Sequence, residues 1–290
     1  MKDSQSFVPF KQVDVFTAVP YKGNPVAVIL NGNGLSPGHM QSIARWTNLS
    51  ETTFVLSPKN DIADYQLRIF TPTGELPFAG HPTIGSAWAM LEHGLKPKSS
   101  GRLVQECAKG LINLRVVGKT LFFALPEPVF TASEKAQVAS VAVALGLPVD
   151  AVLLSSVVDV GAVWLTIQLR SAEEVIALTP DMSSLAKVAR ADQTGVCVFG
   201  LYKKGSSPAV EVRAFAPAAG VPEDPVCGSG NGCVAAMIRR HGVLHMSQYV
   251  ASEGRCLGRD GRVEVEYEDA GTIWLGGRAV TCVDGSIACP

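Results

Sequence analysis

The stretch Arg68 to Gly94 (RIFTPTGELPFAGHPTIGSAWAMLEHG) returns about half a chain later as Arg213 to Gly242 (RAFAPAAGVPEDPVCGSGNGCVAAMIRRHG). Such internal repetition limits the possible folds more than any local pattern does. Setting residues 68–72 on 213–217 and 75–94 on 223–242 gives nine identities in twenty-five pairs: Arg, Phe and Pro, then Glu, Pro, Gly, Ala, His and Gly. Each copy reads as a strand, a Gly/Pro-rich loop and a helix ending in His-Gly. Pro82 suits a first helical turn, and Gly94 and Gly242 suit the left-handed position after a helix end. Between these signals, Thr83 to Leu91 and Cys233 to Ile238 are apolar or small on every side, so each helix is expected to be buried all round. A buried helix entered through Gly, Ser, His and Asp gathers unpaired N–H groups beside polar side chains, and that combination suits an anion.

The repeat predicts two similar halves in a 290-residue chain, 1–126 and 127–290, divided at Pro126-Glu127-Pro128, with the last strand free to pack back on the first half. Lys and Arg number 25 against 26 Asp and Glu, a balance that points to neither nucleic acid nor an anionic membrane. The opening MKDSQSFVPF has no apolar core of a signal peptide, and no run reaches membrane-spanning length, so a soluble cytoplasmic protein is expected. Seven cysteines without a CxxC pair argue against a disulfide framework and a zinc knuckle, and no metal is expected.

Along the chain, 11–30 holds two β-rich runs around a Lys-Gly-Asn-Pro turn. Ser36-Pro37 caps a helix to about Trp46, and Thr52 to Leu56 forms a strand with Glu51 at its entrance. Tyr65 to Phe70 is a strand leading into the first repeat copy, and 103–125 a hairpin turning at Gly118-Lys119. In the second half, 133–145 and 183–191 read as helices, and 152–158, 162–169 and 196–201 as strands. The last of these matches 52–56, but Thr194 or Gly195 stands where the first half has Glu51. The tail, 249–283, reads as antiparallel strands with turns at Gly254, Gly258, Asp260-Gly261 and Gly276-Gly277.

Four motifs, VDVFTAVPYKGNPVAVIL, NLSETTFV, FTPTGELPFAGHPTIGSA and FAPAAGVPEDPVCGSGN, resemble those of the phenazine biosynthesis PhzF-like isomerase family, from about Val13 to the end of the chain. The resemblance implies an α+β, diaminopimelate epimerase-like fold: two pseudo-symmetric halves, each a mostly antiparallel sheet around a central helix. It further implies an active site in the cleft between them, a small carboxylate-bearing substrate, no cofactor and a homodimer. Carried over by motif, the acid–base glutamate is Glu51, the histidine His81, the aspartate Asp224 and the serine Ser229. Gly80, Thr83, Cys227 and Gly228, at the two helix entrances, complete the expected substrate-binding set.

The implied chemistry removes a proton from carbon and returns it elsewhere, with Glu51 moving the proton, His81 assisting the developing enolate and Asp224 fixing a substrate amine or hydroxyl. Each residue also has a structural reading. Glu51 alone is a solvated carboxylate, His81 a polar filler, Asp224 a turn former, Ser229 an N-cap and Cys227 a small buried residue. Cys227 departs from the family pattern, which has a small non-thiol residue there. In racemases of the same fold a Cys-Gly at this helix entrance is the acid or base, paired with a second from the other half. Here the internal alignment sets Ala79 opposite Cys227. An amino-acid epimerase using Cys227, and a catalytically silent binding protein, are the alternatives.

Overall fold

The computed structural model describes residues 6–289, so the first five residues, part of the opening read above for a signal core, lie outside it. The chain forms two units. The first runs to Ala124 and takes in the segment from Gly276 onward, and the second is Leu125–Leu275.

In the first unit the strands are β1 (Ser6–Val15), β2 (Asn24–Ile29), β3 (Thr52–Leu56), β4 (Tyr65–Phe70), the two-residue β5 (Glu75–Leu76), β6 (Arg102–Cys107), β7 (Gly110–Val117) and β8 (Thr120–Ala124). Pairing runs β1-β2-β3-β4-β6-β7-β8, with β5 beside β4, and is antiparallel except for β2–β3 and β4–β6. The final strand of the chain, which spans Ile273–Cys289, lies antiparallel along β1 from Ala279 to Cys289.

Helix α1 (Pro37–Thr47) starts as the sequence predicts. Ser36 accepts from the His39 N–H, and Met40, Ile43 and Ala44 pack with Ile29, Phe54 and Phe70 on one face of the sheet. On the other face lies α2 (Gly80–Glu92), where Gly80 to Ala87 and Ala89 are all buried. The Thr53 and Ser86 hydroxyls, 2.8 Å apart, satisfy one another between β3 and this helix. With apolar groups packed on both sides, β3 is buried from Thr52 to Val55 and shows no polar alternation.

The second unit repeats the plan. Its strands are β9 (Val129–Thr131), β10 (Leu154–Asp159), β11 (Val163–Gln168), β12 (Gly195–Leu201), β13 (Val210–Phe215), β14 (Gln248–Glu253) and β15 (Gly261–Tyr267), paired in that order. The parallel contacts here are β11–β12 and β13–β14. They fall where β2–β3 and β4–β6 fall in the first unit, so the halves share topology as well as motif.

Helix α6 (Gly228–His241) is buried along its first three turns except at Ser229. On the opposite face α3 (Lys135–Ala144), α4 (Ala172–Ala177) and α5 (Met182–Val188) bury Val138, Val141, Val175 and Leu185 against Leu165, Ile167, Val196 and Val198. Strand parity sorts these layers, since Leu165 and Ile167 point one way and Trp164 and Thr166 the other.

Two expectations fail. The stretch 103–117, read as one arm of a hairpin, is two antiparallel strands, β6 and β7, with a turn at Ala108-Lys109. Gly276-Gly277 was read as a turn, yet the chain runs straight through it as β16 (Ile273–Cys289). A Cβ on Gly276 would stand 2.2 Å from Cδ1 of the Phe122 ring, so the missing side chain makes room for the ring beneath a continuous strand. Helix α4 and the short strands β5 and β9 went unread because each is too short to show a period.

Candidate active site

In the first unit the site begins with the β3–α2 pair. Glu51, just ahead of β3, and His81, in the first turn of α2, are far apart in sequence but bring Glu51 Oε2 to 3.2 Å from His81 Nε2. The approach is bent from the straight line of a strong hydrogen bond. His81 is 4% exposed, and burial lowers its pKa to about 3, so the ring is neutral at physiological pH.

The other ring nitrogen meets an amide, and with the amide placed as it stands the tautomer follows. Nδ1 lies 3.4 Å from Nδ2 of fully buried Asn24, an amide nitrogen that can only donate. Nδ1 therefore accepts and Nε2 carries the proton, facing the Glu51 carboxylate. Asn24 is held at the start of β2 by a tight loop in which Phe16 and Tyr21 adopt left-handed backbone angles (φ 64° and 68°), conformations uncommon for residues with a side chain.

Thr83 faces inward from the same helix. Its Oγ1 accepts from Gln105 Nε2 at 3.0 Å, and Gln105 Oε1 in turn accepts from Tyr65 Oη at 3.1 Å. Gly80 opens α2, with Ala79 as a cap residue that makes no side-chain bond.

In the second unit the loop into α6 carries Asp224, Cys227 and Ser229. A buried bidentate pair anchors it, Arg213 Nε to Glu223 Oε1 and Arg213 Nη2 to Glu223 Oε2, both at 2.9 Å, while Arg213 Nη1 donates to the carbonyls of Val175 and Leu178. The matching repeat positions, Arg68 and Glu75, form the same bidentate pair nearer the surface. Two of the nine identities thus mark one structural device used twice.

Asp224 Oδ1 accepts from the Val226 N–H at 3.1 Å, the turn role that its position before Pro225 suggests. Desolvation pushes its carboxyl above the usual carboxylate range, opposed by a hydrogen bond with the Cys227 thiol.

The cap of α6 is Cys227, not Ser229 as one structural reading had it. Cys227 Sγ accepts from the Gly230 N–H at 3.2 Å, and Ser229 Oγ accepts from Trp164 Nε1 at 3.0 Å. Burial raises the Cys227 thiol well above its ordinary pKa, with Asp224 and Glu253 adding to the effect. A thiol in that setting stays protonated. Gly228, the first residue of α6, is buried beside it.

Asn24, Trp164, Asn231 and Glu253 contact these candidates and were missed in the sequence. Asn24 sits inside the Gly-Asn-Pro turn already noted. Asn231 already lies opposite Thr83 in the repeat alignment, and extending that alignment at the same spacing sets Glu253 opposite Gln105. Among the described residues no group of three or more His, Cys, Asp or Glu stands where it could hold a metal ion, and no helix is long and apolar enough to cross a membrane.

Comparison with known proteins gives one family. Residues 13–285 match the family described as phenazine biosynthesis-like protein. The chain is 41% identical to antisense-enhancing sequence 1 of Schizosaccharomyces pombe, over 95% of this chain and 97% of that protein. It is 35% identical to trans-2,3-dihydro-3-hydroxyanthranilate isomerase of Pseudomonas fluorescens, with the same two coverages. Among solved structures it is similar to the Bacillus anthracis phenazine biosynthesis protein of the PhzF family, with a TM-score of 0.83 at 24% identity, covering 97% of this chain and 99% of that one.

Proposed function

Since the chain belongs to the phenazine biosynthesis-like family of isomerases, we propose that it catalyses a cofactor-independent proton shift on a small carboxylate-bearing substrate. In this reading Glu51 takes the proton from carbon and returns it to another position. Neutral His81 donates from Nε2, first orienting the carboxylate and then assisting as charge develops on the substrate. In the second unit, Asp224 and Ser229 at the entrance of α6 offer polar groups suited to a hydroxyl, amine or carboxylate of the substrate.

The observation that carries the reading is the pairing of Glu51 with a histidine whose tautomer is set by Asn24 and whose charge is suppressed by burial. The thiol of Cys227 is held away from the thiolate form, which weighs against an epimerase that uses it as a base.

The test is solvent deuterium exchange into trans-2,3-dihydro-3-hydroxyanthranilate and a panel of small unsaturated and amino carboxylic acids. Glu51→Gln keeps the shape and cannot take the proton, so exchange into an accepted substrate is expected to drop at least about 100-fold while the fold persists. A variant within a few-fold of wild type would place the base elsewhere. Absence of exchange across the panel, with a folded wild type, would favour a silent binding protein.

A further inference from the structure

Glu253, the last residue of β14, is 1% exposed. Its Oε2 accepts from the Cys227 backbone N–H at 2.8 Å and from Asn231 Nδ2 at 2.6 Å, and Asn231 Nδ2 also reaches the Cys227 carbonyl at 2.9 Å. The next residue, Gly254, has φ 90°, and a Cβ on it would stand 2.3 Å from the Pro225 carbonyl. The end of β14 is therefore the bed on which the loop from Asp224 to Ser229 rests.

Glu253 Oε1 has no hydrogen-bond partner among the described residues. An anionic carboxylate would leave part of its charge on this bare, buried oxygen. The titratable groups that act on it are Asp224 from the loop and Glu211 from β13, both acidic, and the buried thiols of Cys227 and of Cys197 from β12 lie close by. The arginines of the neighbouring strands are engaged elsewhere, Arg213 with Glu223 and Arg262 with Asp260, and Arg259 lays its stem against Gly254.

The first unit offers an internal control. At the position matching Glu253 it has Gln105, which bonds to Thr83, the residue matching Asn231. A strand-to-helix link is made there too, with its direction reversed since Gln105 donates, by a side chain that never carries charge.

We propose that Glu253 is a positioning residue that acts as a neutral carboxylic acid, locking the entrance of α6 so that Asp224, Cys227 and Ser229 hold their places for the reaction. The proposal rests on the reading that this loop binds substrate. Burial first, then Asp224, favour the protonated form and outweigh the Cys227 and Asn231 N–H bonds, which favour the charged one, and ionisation on the alkaline side would set like charges together under the loop.

The experiment compares wild type with Glu253→Gln, which copies Gln105, and Glu253→Ala. A carboxyl with a raised folded pKa contributes stability that is full below the unfolded value and is lost as pH rises toward the folded one. Wild type should therefore lose folding equilibrium relative to Glu253→Gln by about tenfold per pH unit through that window, measured by denaturant unfolding. Amide exchange in residues 224–231 should quicken at least about tenfold in Glu253→Ala, or throughout if that variant is unfolded, and stay near wild type in Glu253→Gln. In turnover, the alanine variant should lose kcat/KM with a raised KM, since the loop it loosens holds the substrate, and glutamine should restore both.

If Glu253→Gln is the less stable protein at pH 8, with the gap closing on acidification, the residue is an ionised carboxylate and the proposal is overturned. The same follows if glutamine loosens 224–231 as alanine does, or if folded Glu253→Ala turns over normally. Failure of the isomerase reading would look different, with no turnover in wild type while the stability and exchange results stand.

Discussion

His81 couples the site to pH in a direction that burial fixes. Its folded pKa, about 3, lies below the ordinary 6.5, so the stability tied to its neutral form is complete above 6.5. That stability is lost as the pH falls toward 3, because the unfolded chain takes up a proton that the folded one refuses. The slope approaches about 1.4 kcal/mol per pH unit within this window. Replacing His81 with Gln removes the titration, so the difference in stability between variant and wild type should shift in favour of the variant from pH 6.5 to 4.5. Parallel acid curves for the two proteins would mean that the ring is protonated in place. Motif resemblance singled out Glu51 and His81, which lie 3.2 Å apart. It could not show that Asn24 sets the tautomer or that Glu253 underlies Cys227, because which buried donor meets which acceptor depends on strand register, and a linear pattern does not contain it.

At the level of elements, the paired arginines of the repeat separate what a motif needs from what a fold needs. Arg213 and Glu223 are nearly buried, with side-chain exposures of 5% and 7%, and Arg213 also binds two carbonyls at the end of α4. Removing Arg213 leaves a buried carboxylate and unmet carbonyls, a loss of about 3–5 kcal/mol. The Arg68–Glu75 pair has exposures of 24% and 37%, and its loss should cost about 0.2–1 kcal/mol. Chemical denaturation of Arg213→Ala and Arg68→Ala tests the contrast, and equal losses would show that burial does not set the difference. The two central helices were legible because a helix without a polar face has one place to go. The turn expected at Gly276-Gly277 was not, since glycine signals a bend and a close approach alike, and only the Phe122 ring packed on Gly276 tells which applies.

For the whole molecule, the chain enters the second unit after Ala124 and leaves it after Leu275. The first unit needs its late segment, because β1 pairs with β16 from Ser6–Cys289 to Val15–Ala279, and Val13 and Val15 on that strand are fully buried. A fragment ending at Ala124 should therefore fail to unfold cooperatively, whereas the same fragment joined by a flexible linker to residues 276–289 should regain a single transition by circular dichroism. A cooperative transition in the short fragment would show that β1 needs no late partner. During synthesis this connectivity reverses the usual order of assembly. The half encoded first has to wait on the ribosome while the other half is made, on the order of ten to thirty seconds at about 5–20 residues per second. Throughout that interval β1 has an open edge, so the nascent first half is the part of this protein that a chaperone would need to shelter.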